Sequence, residues 1–307
     1  MTRNFARRAA LPQKVTTNSR GVRGRDLVPG SVFLRCGNRD IENLRAFSET
    51  SVTPTTTRTV SREYVPSSGI ADELGPLVRV HSELGRFRLS APRVRRARAN
   101  IGEGRIAFEA ADVLRAAGDL DGSLERVASA FEMCGLASPR ALEAFRKEYG
   151  AAQPLLKAWL VGERRSSDEG RRLALRAAAL IGNAILGSAA AQARKDTSFH
   201  EWKKPTCPCC GGAPDLAVRA ESHRWLVCAR CDTRWQAPTN GCLTCEATRA
   251  PTFVRVDALD LGYELLVCHA CARYIKERRG DGMEMPLIER ALTADLDGAA
   301  ERRGLRF

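Results

Sequence analysis

The sequence predicts an α+β fold, an N-terminal helical bundle followed by a cysteine-rich region of short strands. Three observations carry this. Apolar residues recur at helical spacing between about 101 and 197. Nine of the 11 cysteines fall between Cys207 and Cys271. The runs between those cysteines have the length and composition of β-strands. At 307 residues the chain is long enough for about two domains, and its 44% hydrophobic content excludes wholesale disorder.

The net charge of +13 is unevenly distributed. Residues 1–100 hold 19 Lys+Arg against 8 Asp+Glu, whereas 101–200 hold 14 against 13 and 201–307 hold 16 against 15. Residues 1–100 are therefore expected to form a basic, weakly ordered extension. The Thr/Pro/Ser-rich stretch Ser51-Val52-Thr53-Pro54-Thr55-Thr56-Thr57 supports a loop or linker there. Its scattered aromatics form no stacking platform for single strands, so nucleic acid is an unfavoured partner.

Residues 101–197 read as the helical domain. Ile106, Ala110, Val113, Leu114 and Ala117 share one face up to Gly118. Ser123 is a candidate cap for a stripe of Leu124, Val127, Ala128, Phe131 and Cys134. Ser138-Pro139 marks another start, with proline at the first helical position, where its missing N–H costs nothing. Pro154 opens a segment with Leu155, Leu156 and Trp159. Ser167-Asp168-Glu169 then caps the longest helix, running to about Lys195, in which Gly182 and Gly187 permit close helix approach. No run of about 18 apolar residues is present, so no transmembrane helix is expected. The basic start Met1-Thr2-Arg3 leads into no apolar stretch, so the expected compartment is the cytoplasm.

Residues 198–280 carry four C-x-x-C pairs: Cys207/Cys210, Cys228/Cys231, Cys242/Cys245 and Cys268/Cys271. Two intervening residues let both thiolates of a pair reach one ion from a tight turn, and two pairs complete a tetrahedral shell. These eight cysteines are the expected ligands of two metal ions. Disulfides would need an oxidising compartment, and a thioredoxin-like site needs one pair at a helix start in a βαβ context. Leu216–Arg219 with Arg224–Val227, and Phe253–Val256 with Tyr263–Val267, read as hairpins between pairs. This pattern pairs the first knuckle with the second and the third with the fourth, with a nested arrangement as the alternative. The fold is thus a bundle followed by tandem rubredoxin-like or zinc-ribbon modules, and all-sulfur tetrahedra suit zinc or a single iron. His223 and His269 are expected not to be ligands, and Cys209 is a spare thiol inside the first knuckle. Residues 281–307 read as a helical tail opened by Pro286.

These motifs resemble the FdhE-type formate dehydrogenase accessory proteins. The resemblance lies in Cys207-Pro208-Cys209-Cys210-Gly211 and in Arg224-Trp225-Leu226-Val227-Cys228-Ala229-Arg230-Cys231, followed by Trp235. It continues through Cys242-Leu243-Thr244-Cys245 to Cys268-His269-Ala270-Cys271-Ala272-Arg273-Tyr274-Ile275-Lys276. It implies a cytoplasmic maturation factor, not an enzyme, that binds the catalytic subunit of formate dehydrogenase and assists its assembly. It also implies rubredoxin-type iron, in preference to zinc, in both four-cysteine sites. The basic extension and Cys209 stand outside the resemblance.

Two other functions compete: a zinc-ribbon nucleic-acid binder using the basic arm, and a thiol redox protein using Cys209. An ordinary enzyme is disfavoured, because no nucleophile–base motif, P-loop or dinucleotide glycine pattern is present.

Overall fold

A computed structural model describes residues 72–306, except 164–165, 195–198, 200, 203, 221–222, 238–241, 246, 248–252, 259–261, 281–282 and 284. These residues all belong to one compact unit. They form seven helices, six strands and two further helices.

The first two helices are α1 (Gly75–Leu84), inside the span 1–100 expected to be weakly ordered, and α2 (Ala91–Gly102), which runs two residues past it. The expectation is corrected for these residues; 1–71 lie outside the described residues. Charge concealed a small apolar set, Leu77, Leu89, Ala97 and Ile101, all of which are buried. The next helices are α3 (Ala110–Ala116), α4 (Asp121–Met133), α5 (Pro139–Glu148) and α6 (Ala152–Leu160). Ser138 caps α5 as expected, accepting from the Ala141 N–H at 3.1 Å. Ser123 caps nothing, because α4 starts at Asp121, whose carboxylate instead accepts from the Ala152 N–H at 2.7 Å. Pro154 lies within the first turn of α6, two residues past its start.

The 25-residue α7 (Glu169–Ala193) is the axis of the bundle, and all six preceding helices pack against it. The Asp168 carboxylate accepts from the Arg171 N–H at 2.5 Å, fixing the first turn. By length and composition α7 is apolar enough to cross a membrane, but 78% of its most apolar window is buried inside the protein. That burial identifies a core helix. Its glycines act differently from each other. A Cβ on Gly182 would stand 2.2 Å from the Trp159 ring, so α6 packs there only because the side chain is missing. Gly170 does the same for α5, at 2.7 Å from Ala144 Cβ. Gly187 faces no helix; it faces the Cys231 backbone.

The strands are β1 (Pro214–Arg219), β2 (Arg224–Cys228), β3 (Arg234–Ala237), β4 (Phe253–Ala258), β5 (Tyr263–Cys268) and β6 (Arg273–Arg279). Only the backbone of β4 is described. Both expected hairpins are present. Each is extended by a third antiparallel strand after its second knuckle. The two meanders join into one six-stranded sheet, ordered β3-β2-β1-β6-β5-β4. The junction is a parallel pair, with Leu216 opposite Lys276 and Arg219 opposite Arg279.

Buried ion pairs reinforce that junction. Arg224, fully buried, donates to the fully buried Glu277 at 2.6 Å across the intervening β1. Arg219 adds contacts to Glu277 and Glu264 at 3.2 and 3.6 Å. Removing one member of such a set strands a charge in the interior, at about 3–5 kcal/mol. The other sheet face is covered by α8 (Pro286–Leu292) and α9 (Ala294–Arg302), two helices where one tail helix was expected. They separate at the buried Thr293, whose hydroxyl donates to the Glu289 carbonyl at 2.7 Å. Leu296 packs against Leu265, Val267 and Tyr274, while Lys276 and Tyr274 both donate to Asp297 at 2.7 Å.

Candidate metal centres

Each knuckle is a tight turn built to direct two sulfurs toward one point. In the first, the Cys209 N–H donates to Cys207 Sγ at 3.3 Å, and the Gly211 N–H closes the turn on the Cys207 carbonyl at 3.0 Å. In the second, the Arg230 N–H donates to Cys228 Sγ at 3.3 Å and the Asp232 N–H reaches the Cys228 carbonyl at 3.2 Å. The residue after the closing cysteine has a positive φ in three knuckles: 67° at Gly211, 54° at Asp232 and 53° at Ala272. Glycine takes that conformation freely and aspartate tolerates it, whereas alanine does so under strain. In the third knuckle the Thr244 N–H donates to Cys242 Sγ at 3.3 Å.

The structure brings the eight cysteines together in two groups. Cys207, Cys210, Cys228 and Cys231 form one, and Cys242, Cys245, Cys268 and Cys271 the other, with the sulfurs of each group within 4.8 Å of one another. The grouping is therefore sequential, not nested. Across knuckles, Cys207 and Cys231 are 3.5 Å apart and Cys210 and Cys228 3.4 Å; in the second group the distances are 3.6 and 3.5 Å. A disulfide would be about 2.05 Å. A tetrahedral ion with sulfurs at about 2.3 Å sets them about 3.8 Å apart, so both groups fit an ion with modest expansion.

The electrostatics also call for a cation. Burial opposes ionisation of Cys207, but hydrogen bonds from Cys209 and Cys210 help to outweigh it and bring its thiol down to about 6. Cys210 is pushed well up, first by its hydrogen bond to Cys207. In the second group burial and the hydrogen bonds to Cys242 and Cys268 push Cys271 up to about 12. Once one thiolate forms, its neighbours stay protonated, and only a positive ion lets all four carry charge.

The two centres differ in their surroundings. In the first, every cysteine is at most 4% exposed. In the second, Cys242 and Cys268 are buried, Cys271 is half-buried and Cys245 is exposed. The first centre is enclosed by the bundle: the Ala107 and Phe108 N–H groups donate to the Pro208 and Cys209 carbonyls, both at 3.0 Å. Arg230 donates to the Leu160 carbonyl at 2.7 Å. Asp232 lies between Asn183 of α7 and Arg290 of α8, at 3.0 and 2.8 Å. Arg290 also grips Asp215 through two nitrogens, at 2.6 and 3.1 Å, and donates to the Cys228 carbonyl at 2.9 Å. Asn183, Asp215, Asp232 and Arg290 were not singled out from the sequence. Only Asp232, directly after a knuckle, carried a signal.

Cys209 is fully buried, and its hydrogen bond to Cys207, followed by burial, pushes its thiol up. That is the environment of an inert thiol and weakens the redox reading. Cys134 is buried, as its stripe position predicted. His269 is exposed, and neither it nor His223 joins a cysteine group.

No protein-family profile matches the chain. Curated proteins do. A "Protein FdhE homolog" of Glaesserella parasuis serovar 5 is 28% identical over 109 residues, covering 34% of this chain and 36% of that protein. Proteins of the same name from Actinobacillus pleuropneumoniae serotype 3 and Haemophilus ducreyi are 25% and 26% identical over 121 residues, 38% of this chain. The matched stretch thus spans about two fifths or less of these relatives' length. The crystal structure of the FdhE protein from Pseudomonas aeruginosa shares the fold, with a TM-score of 0.51 at 17% identity, over 76% of this chain and 84% of that one. The resemblance read from the cysteine motifs is supported by sequence and by fold.

Proposed function

We propose, from its kinship with FdhE-type proteins, that this chain is a cytoplasmic accessory protein that binds the catalytic subunit of formate dehydrogenase and assists its assembly without catalysing a reaction itself. The observation that carries this reading is the pairing of a helical bundle with two four-cysteine centres in one compact unit of FdhE-like fold. Cys207, Cys210, Cys228 and Cys231 hold one ion, and Cys242, Cys245, Cys268 and Cys271 the other. Rubredoxin-type iron is the favoured metal and zinc the alternative. Either ion supplies the charge that gathers the thiolates and so contributes folding free energy.

The test is co-purification of the full chain with a formate dehydrogenase catalytic subunit expressed beside it. A stable complex is expected, and its absence would overturn the proposal. Metal analysis with an absorption spectrum of protein isolated without added metal decides the ion: iron gives thiolate charge-transfer bands, zinc none.

A further inference from the structure

Residues 85–102 contain six arginines, Arg86, Arg88, Arg93, Arg95, Arg96 and Arg98, and no lysine, aspartate or glutamate. All six are exposed. They account for more than half of the charge excess of the first hundred residues, on a helix and loop that are ordered. One neighbour extends the positive field: Lys204, which donates to the Gly104 carbonyl at 2.9 Å. Three acids close by in sequence are paired with other arginines, Glu83 with Arg126, Glu103 with Arg105 and Asp112 with Arg115.

The stretch is held firmly by its opposite face. Leu89, Ala97 and Ile101 are buried. Gln192 of α7 accepts from the Leu89 N–H at 3.1 Å, and its carbonyl accepts from Arg98 at 3.2 Å. The Ser188 hydroxyl donates to the Phe87 carbonyl at 2.7 Å. The arginines are thus displayed on a fixed backbone; Arg88, Arg93 and Arg98 also reach backbone carbonyls, but local stability does not explain Arg86, Arg95 and Arg96. No acidic residue occupies the first turn of α2, where one would suit the helix dipole. Like charges at this density repel one another, and a surface serving only solubility mixes signs.

We propose that the solvent face of α2, with Arg86 and Arg88, docks an acidic polypeptide segment. The exclusive use of arginine fits carboxylates, which a guanidinium grips with two parallel N–H bonds. Phe87 is the one aromatic in the stretch and is half-buried, so no stacking platform for single-stranded nucleic acid stands beside the charge. The proposal deepens the client-binding reading, on which it rests for the source of the segment.

The test uses the full chain and a variant with Arg86→Glu, Arg95→Glu and Arg96→Glu. Arg93 and Arg98 are left intact because each also donates to a backbone carbonyl. Binding of a fluorescent Glu/Asp-rich peptide is measured by anisotropy, beside duplex and single-stranded oligonucleotides of matched charge. Far-UV circular dichroism confirms that the variant is folded. The expected result is peptide binding that weakens with salt and falls by at least about tenfold in the variant. Absent peptide binding, equal binding by the variant, or tighter binding of an oligonucleotide with the same sensitivity to the variant would each overturn it. Co-purification with the catalytic subunit separates the two readings. Capture by both the wild type and the variant sinks the docking face alone. Failure of capture by the wild type sinks the client reading and leaves the peptide result to judge the face.

Discussion

The side-chain amide of Asn183 donates to the Asp232 carboxylate at 3.0 Å, linking the bundle axis to the residue that closes a cysteine knuckle. Asn183 is only 7% exposed, and its amide oxygen lies 2.8 Å from His81 Nε2. Beyond Asp232 the chain of contacts runs through Arg290 to Asp215 and the Cys228 carbonyl. One polar thread therefore joins α1, α7, the second knuckle and α8.

Replacing Asn183 with alanine removes both contacts from a nearly buried position. The expected loss is about 1–3 kcal/mol, seen as a lower melting temperature of the metal-loaded protein. An unchanged melting temperature would mean that the thread is dispensable.

Gly182 and Gly187 of α7 should respond oppositely. Gly182→Ala forces a methyl group into the Trp159 ring and should cost at least about 1–3 kcal/mol. At Gly187 a Cβ would find its nearest atom, the Cys231 carbonyl oxygen, at 3.6 Å, an ordinary contact. Gly187→Ala should be neutral or stabilising by up to about 1 kcal/mol through helix propensity. Denaturant melts of both variants check the contrast.

The unequal burial of the two centres predicts an order of reactivity. Iodoacetamide should label Cys245 and Cys271 before any cysteine of the first group, as read by mass spectrometry of timed digests. A chelator should remove the second ion first. Labelling of Cys207 or Cys228 at the same rate would contradict the enclosure of the first centre.

Metal affinity at the second centre should rise with pH. The Cys271 thiol, pushed up to about 12, holds its proton in the metal-free protein throughout the working range and must release it on binding. Each pH unit below that value therefore costs this one thiol about tenfold in apparent affinity, so binding strengthens as pH rises. Competition titrations with a colorimetric chelator at two pH values measure it, and a flat profile would refute it.

The knuckles were legible because their chemistry is local: two residues between cysteines, and a hairpin between pairs, leave little freedom for the sulfurs. The helical stripes of α4, α5 and α7 were legible for the same reason. The strand β6 was not, because Lys276, Glu277, Arg278 and Arg279 read as solvated surface. In the sheet their charges are satisfied by Asp297, Arg224, Glu289 and Glu264 from distant parts of the chain. The helix α2 was missed on the same grounds, its few buried residues outnumbered by arginine. Partners such as Asn183 and Arg290 have no signature at all, since what makes them matter is who meets them.

Arg290 has a consequence for biogenesis. It braces the Asp215, Cys228 and Asp232 cluster of the first module, yet it is translated only after the whole second module. During synthesis the first knuckles can take up an ion well before their clasp exists. The first metal module is thus completed only after the second has been made, and a nascent chain passes through a stage in which its most enclosed centre has the bundle around it but not yet its clasp.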